Sequence, residues 1–219
     1  ICRRHGFHAS FMCRPNLPNI FASGWHLHQT LLDKNTRKNV FTSTNSQLPV
    51  SDLAGQFVAG LLEHASATCL FTTPTINGYK RYKPESLAPD RIVWARDNRG
   101  AMIRVLGYEN DPNARIENRV GEPAANPYLY MMSQIISGLD GIHRKLEPPP
   151  LADTPYMEEA DSLPQNLMDA VDALDNNDMY RSVLGDGFLN YILTLKKHEI
   201  KRFLSEVTDW EQKEYFEIL

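Results

Sequence analysis

Two hydrophobic periods run along this chain, one of two residues and one of three to four. The shorter marks strands, whose side chains alternate between faces; the longer marks helices with one buried stripe. Alternation predicts strands over residues 7–12, 23–31, 92–95, 101–106 and 114–120. Leu53, Phe57, Val58, Leu61, Leu62 and Ala65 fall at helical spacing and predict a helix over 52–67, capped by Ser51. A second helix starts at Asn126-Pro127, with Asn as cap and Pro at the first helical position, and runs to Leu146, where Pro148-Pro149-Pro150 stops it. Further helices are predicted over 166–174, 188–206 and 209–216, and their apolar residues are assigned to the core. Residues 80–89 form a long connection without periodicity, of the kind that often carries function. Strands followed by helices in this order predict an α+β fold, with a curved antiparallel sheet and helices packed outside it.

Composition narrows the function classes. The 219 residues are 42% hydrophobic and 23% charged, ordinary for a globular protein, and suffice for one sizeable core or two small ones. A net charge of -4 argues against a general nucleic-acid binder. No apolar run has the length of a membrane span. Cys2, Cys13 and Cys69 have no metal-type spacing, and their odd number suits a reducing cytoplasm. The chain opens on Ile1, and its first residues look like the end of a helix running into a strand, so it is expected to lack an upstream part.

Charge is unevenly placed. Ten acidic residues against one basic, Arg181, lie between Glu147 and Asp186, a solvated helical surface. Between Arg91 and Arg119 there are six arginines (Arg91, Arg96, Arg99, Arg104, Arg115, Arg119) and no lysine. Arg carries a planar fork that grips carboxylate or phosphate by two hydrogen bonds, so arginine without lysine suggests oxyanion recognition. The segment Arg115-Ile116-Glu117-Asn118-Arg119-Val120 puts Arg115, Glu117 and Arg119 on one strand face. By itself that row reads as a solvated face. His26-Leu27-His28 by itself likewise reads as two histidines on a polar face. Together they offer a carboxylate and imidazole for Mg²⁺ or Mn²⁺ beside guanidinium clamps, the apparatus of phosphoryl transfer. Neither GxxxxGK[ST] nor GxGxxG occurs, which excludes a P-loop or Rossmann nucleotide site.

Six motifs in order then carry a resemblance. They are Ser23-Gly24-Trp25-His26-Leu27-His28-Gln29-Thr30, Thr73-Pro74-Thr75-Ile76-Asn77-Gly78-Tyr79-Lys80-Arg81, Asp97-Asn98-Arg99-Gly100-Ala101-Met102-Ile103-Arg104, Arg115-Ile116-Glu117-Asn118-Arg119, Glu122-Pro123-Ala124-Ala125-Asn126-Pro127-Tyr128-Leu129 and Gly138-Leu139-Asp140-Gly141-Ile142. The chain resembles the C-terminal half of the catalytic domain of the glutamine synthetase family. The resemblance implies an ATP-dependent ligase that phosphorylates the γ-carboxylate of glutamate and lets ammonia or an amine displace the phosphate. By motif match, His26 and Glu117 look like metal ligands and His28 and Thr30 like nucleotide contacts. Arg81 and Arg119 resemble the glutamate-binding arginines; Arg99, Arg104 and Arg115 resemble those that hold the ATP phosphates and the transferred group, with Arg99 and Arg119 catalytic. The resemblance further implies that residues 1–219 are the C-terminal part of the catalytic domain. Upstream carboxylates would complete the metal site, and a small N-terminal domain from a neighbouring subunit would complete the active site in a ring-shaped homo-oligomer. This chain alone is expected to be inactive, with an exposed sheet edge.

Two positions depart from the ammonia-using pattern. Where that pattern has a Glu two residues before the Pro of the flap loop, this chain has Leu87, with Glu85 nearby. A carboxylate attracts ammonium, and Leu instead favours a larger, less polar amine. Where family members often carry Asn-Gly, this chain has Phe21-Ala22, which bears on how glutamate sits and on whether it is the acyl donor. These residues point to a γ-glutamyl-amine ligase of the polyamine or alkylamine type. The alternatives are a non-catalytic scaffold or regulatory relative, which would have lost metal ligands or arginines, and a His-x-His metallohydrolase, which leaves the arginines unexplained. Tyr156, in the acidic connection where some family members have a modifiable tyrosine, is given no role.

Overall fold

In the computed structural model, which describes residues 1–83 and 86–218, the alternating segments form one four-stranded sheet. Its strands are β1 (Leu27–Gln29), β2 (Trp94–Arg96), β3 (Ile103–Leu106) and β4 (Arg115–Asn118), in the order β1-β4-β3-β2. β4 pairs antiparallel with β1 and β3, as expected, while β2 and β3 pair in parallel at one edge, so the sheet is mixed. The register aligns Arg104, Glu117 and His28 across three strands. The alternate face carries Ile103, Val105, Ile116 and Asn118, all fully buried. One face is therefore core and the other a charged row, because the side-chain period is two.

Helices share the core with the apolar face. They are α1 (Asp52–Glu63), α2 (Ala65–Thr72), α3 (Pro127–Arg144), α4 (Leu167–Asp175), α5 (Asp178–Leu184) and α6 (Asp186–Leu204), while α7 (Asp209–Tyr215) buries none of its residues. Ser51 caps α1 and Asn126 caps α3, each side chain accepting from backbone N–H groups of the first turn. The single helix predicted over 52–67 is two, broken at His64. That ring is buried and held between Asp140 (Nε2 to Oδ2, 2.8 Å) and the Asn177 amide (3.2 Å). Helix α5 went unpredicted because it is short and buries only Tyr180. The strand expected over 7–12 is absent; Phe7 and Phe11 are exposed and the only helix there is a 3₁₀ turn, Cys2–His5. A strand holds its shape through partners, and no described strand pairs with that segment.

Helices α1 and α3 meet at Gly60 and Gly141. A Cβ on Gly141 would lie 2.1 Å from the Gln56 carbonyl, and one on Gly60 would lie 2.1 Å from that of Ser137. The contact is backbone on backbone, so nothing flexible can yield. Gly141→Ala is expected to destabilise the protein by at least about 1–3 kcal/mol, read as a fall in the urea unfolding midpoint; an unchanged midpoint would contradict this packing.

Candidate active site

The site is built around one buried carboxylate. Glu117 is 2% exposed and sits mid-row on β4. Its Oε1 accepts from Arg119 Nη1 (2.7 Å) and lies 3.0 Å from His26 Nδ1 and 3.6 Å from His28 Nε2. Its Oε2 accepts from Arg104 Nη1 (3.0 Å). Burial alone would raise this carboxyl's pKa. Hydrogen bonds from His26 and Arg104 and the charge of Arg119 outweigh burial and bring it down to about 2. His28, by contrast, is lowered, mainly by burial and against the pull of Glu117.

Each arginine has a definite position. Arg119 spends its fork on the protein: Nε donates to the Arg99 carbonyl (2.9 Å) and Nη2 to the Leu87 carbonyl (3.1 Å). Arg81 does likewise, donating to the carbonyls of Val120 (3.0 Å), Gly121 (3.4 Å) and Arg119 (2.8 Å), with Nη2 3.3 Å from His26 Nε2. Arg119 Nη1 lies 3.3 Å from His26 Nδ1, so a guanidinium group faces each nitrogen of that ring. Arg104 also binds Asp97, through Nε at 2.9 Å and through Nη2. Arg115 donates to His28 Nδ1 (3.3 Å), which places the Nε2 proton of His28 toward Glu117. Arg99 is exposed and enters the network through its backbone carbonyl. Thr30 stands just past β1 and donates to Asn39 Oδ1 (2.6 Å). Of the residues singled out from sequence, His26, His28, Arg104 and Arg119 converge on Glu117; Arg81 joins through His26 and Arg115 through His28.

Beside this cluster lies a cavity of about 460 Å³. Arg14, Arg81, Arg119 and His26 line it together with Ile20, Phe21, Ala22 and Leu87. Leu87 is 59% exposed and adopts a left-handed backbone, φ 59°. His28 and Thr30 line a separate cavity of about 320 Å³ against α3, with Met131 and Ile135. Glu85 lies outside the described residues. Tyr156 is half-buried near the cavity, and its hydroxyl donates to the Ala88 carbonyl (3.2 Å).

Sequence reasoning did not find the loop closure that sets the cavity's apolar side. Cys13, 1% exposed within an exposed segment, donates through Sγ to the Ser23 carbonyl (3.2 Å), and Ser23 N–H donates back to Cys13 (2.8 Å). This pair closes the loop that carries Ile20, Phe21 and Ala22. Asp97 was missed as the partner of Arg104; its positive φ of 47° sits in a turn-forming Asp-Asn-Arg-Gly stretch that could have drawn attention to it.

Among the described residues, no group of three or more His, Cys, Asp and Glu side chains could hold a metal ion. Nor is any described helix long and apolar enough to cross a membrane.

Comparison with known proteins places the chain. Residues 1–215 match the profile described as "Glutamine synthetase, catalytic domain". The chain is 50% identical over 232 residues to a gamma-glutamylanilide synthase of an Acinetobacter species, covering 100% of this chain and 46% of that relative. It is 37% identical over 231 residues to the glutamine synthetase of Archaeoglobus fulgidus, covering 100% and 47%. A solved structure titled "Apo GmaS without ligand" superposes with a TM-score of 0.85 at 30% identity, over 98% of this chain and 49% of that one. The chain thus spans about half the length of the relatives it matches.

The network makes a pH prediction. The Glu117 carboxyl falls from an ordinary 4.5 to about 2 on folding, so its stabilisation is full above 4.5 and lost as pH drops through about 2. Glu117→Gln should remove this acid limb from a pH series of urea unfolding. It should also cost roughly 3–5 kcal/mol near neutral pH, by leaving the buried Arg119 guanidinium without its anion, while Arg104 keeps Asp97.

Proposed function

The chain belongs to the glutamine synthetase family, and we propose that its protein is an ATP-dependent carbon–nitrogen ligase that joins the γ-carboxylate of glutamate to an organic amine, an arylamine in preference to ammonia. The observation that carries this is the composition of the cavity of about 460 Å³. Arg81, Arg119 and His26 supply positive or donating groups for a carboxylate, and Ile20, Phe21 and Leu87 supply an apolar wall for the amine. The likeness to a gamma-glutamylanilide synthase supports the same reading, since an anilide is the amide of an arylamine.

On this reading two bond changes occur. A γ-carboxylate oxygen of glutamate attacks the γ-phosphorus of ATP, and the bond to the departing ADP breaks. The amine nitrogen then attacks the acyl carbon, the bond to phosphate breaks, and the nitrogen loses a proton. Arg104 and Arg115, with Arg99 swinging in from its exposed position, would hold phosphate oxygens, together with His28 and Thr30 at the nucleotide. Arg81 and Arg119 would hold glutamate. On Arg119, an incoming carboxylate would replace the Leu87 carbonyl at Nη2. His26 and Glu117 present an imidazole and an ionised carboxylate 3.0 Å apart, a donor pair that suits Mg²⁺ or Mn²⁺, and would be two of its ligands, with the others from outside the described residues. When bound, such a cation neutralises charge on the phosphates.

Leu87 fits an arylamine in two ways. Covering aryl surface gives roughly 2.5 kcal/mol per 100 Å², a gain that ammonium cannot share. An arylamine is also uncharged at neutral pH, so its nitrogen attacks without a prior deprotonation, whereas ammonium needs a base and Leu87 is none. On the same reading the protein is a cytoplasmic homo-oligomer, a ring in which a neighbouring subunit completes the site.

The test is amine-dependent phosphate release by the full-length protein with glutamate and ATP. Aniline should support a higher kcat/KM than ammonium, and Leu87→Glu should lower the aniline value by about ten-fold or more while raising that for ammonium. Ammonium outcompeting every organic amine would overturn the preference.

A further inference from the structure

Leu87 is held in place by two hydrogen bonds on successive carbonyls. A left-handed backbone at a residue with a branched side chain costs energy and persists only where the surroundings fix it. The Leu87 carbonyl accepts from Arg119 Nη2 at 3.1 Å, and the Ala88 carbonyl accepts from the Tyr156 hydroxyl at 3.2 Å. Arg119 and Tyr156 tie this segment to the same place, the turn at Arg99-Gly100. Arg119 does so through the Arg99 carbonyl at 2.9 Å. Tyr156 does so through its ring, against which Gly100 packs so closely that an added Cβ would come within 2.9 Å.

Tyr156 is itself anchored. The segment around it starts at Ala152, whose N–H donates to the Trp94 carbonyl (2.9 Å), and ends at Leu163, whose N–H donates to that of Asp90 (2.9 Å). Both ends are thus fixed to the chain leading into and along β2. Tyr156 does not line the cavity; Ser86, Leu87 and Ala88 do.

We propose that Tyr156 is a positioning residue for the amine, acting through Ala88 to keep Leu87 against the cavity. This rests on the reading of that cavity as the amine site. Tyr156→Phe keeps the ring against Gly100 and removes only the hydroxyl. A residue that merely supports the fold would, on substitution, lower activity without distinguishing between substrates. A positioning role for Leu87 singles out the amine.

The experiment is steady-state kinetics of full-length wild type and Tyr156→Phe, varying in turn ATP, glutamate and whichever of aniline or ammonium the wild type uses better. The KM for the nitrogen substrate should rise roughly three-fold to ten-fold, with those for ATP and glutamate unchanged. Gly100→Ala, which pushes the ring from the other side, should raise the same constant, and it replaces Tyr156→Phe as the deciding variant if that protein does not fold. An unchanged KM for the nitrogen substrate, or an equal rise in all three, would overturn the proposal. A wild type that prefers ammonium would count against the arylamine reading alone, since the effect of Tyr156 is read on either nucleophile.

Discussion

Everything at this site depends on keeping the Glu117 carboxylate ionised while it is buried. A lone buried carboxylate would take up a proton. Here Arg104 and Arg119 hold one oxygen each, and both histidine rings turn toward it, so the charged form is the favoured one. Because β4 lies between β1 and β3, the sheet itself delivers those partners: Arg104 and His28 flank Glu117 in register. The helices on the other face fix the sheet, and the sheet fixes the charges.

Arg119 links this charge cluster to the rest of the site. One guanidinium reaches Glu117, the Arg99 turn and the Leu87 segment. It thereby connects Glu117 to a segment that lines the cavity. Backbone partners also explain why Arg81 and Arg119 turn inward: protein carbonyls satisfy forks that would otherwise be buried with unmade hydrogen bonds.

Much of this was legible in the sequence, and the reasons are specific. Alternation along Arg115–Val120 placed Arg115 and Glu117 on one face because a strand has only two faces, and β4 obeys that rule. The caps Ser51 and Asn126 marked helix starts because a side-chain acceptor there satisfies free N–H groups. The break at His64 was invisible, since it comes from hydrogen bonds to Asp140 and Asn177, far along the chain. The parallel edge pair of β2 and β3 was equally hidden, because periodicity gives a strand's faces and not its direction. Loop contacts were the least legible. Neither the Cys13–Ser23 closure nor the Tyr156–Ala88 bond follows from any local pattern, yet they shape the apolar side of the cavity.

The proposed function requires that a carboxylate be activated by phosphoryl transfer and its acyl group passed to an amine. The most direct measurement uses glutamate labelled with ¹⁸O in its γ-carboxylate, with ATP and aniline, and reads the released phosphate by mass spectrometry. One labelled oxygen should appear in the phosphate for each γ-glutamyl amide formed, because the oxygen that attacks phosphorus leaves with it. Unlabelled phosphate, with ATP consumed and no amide made, would contradict it.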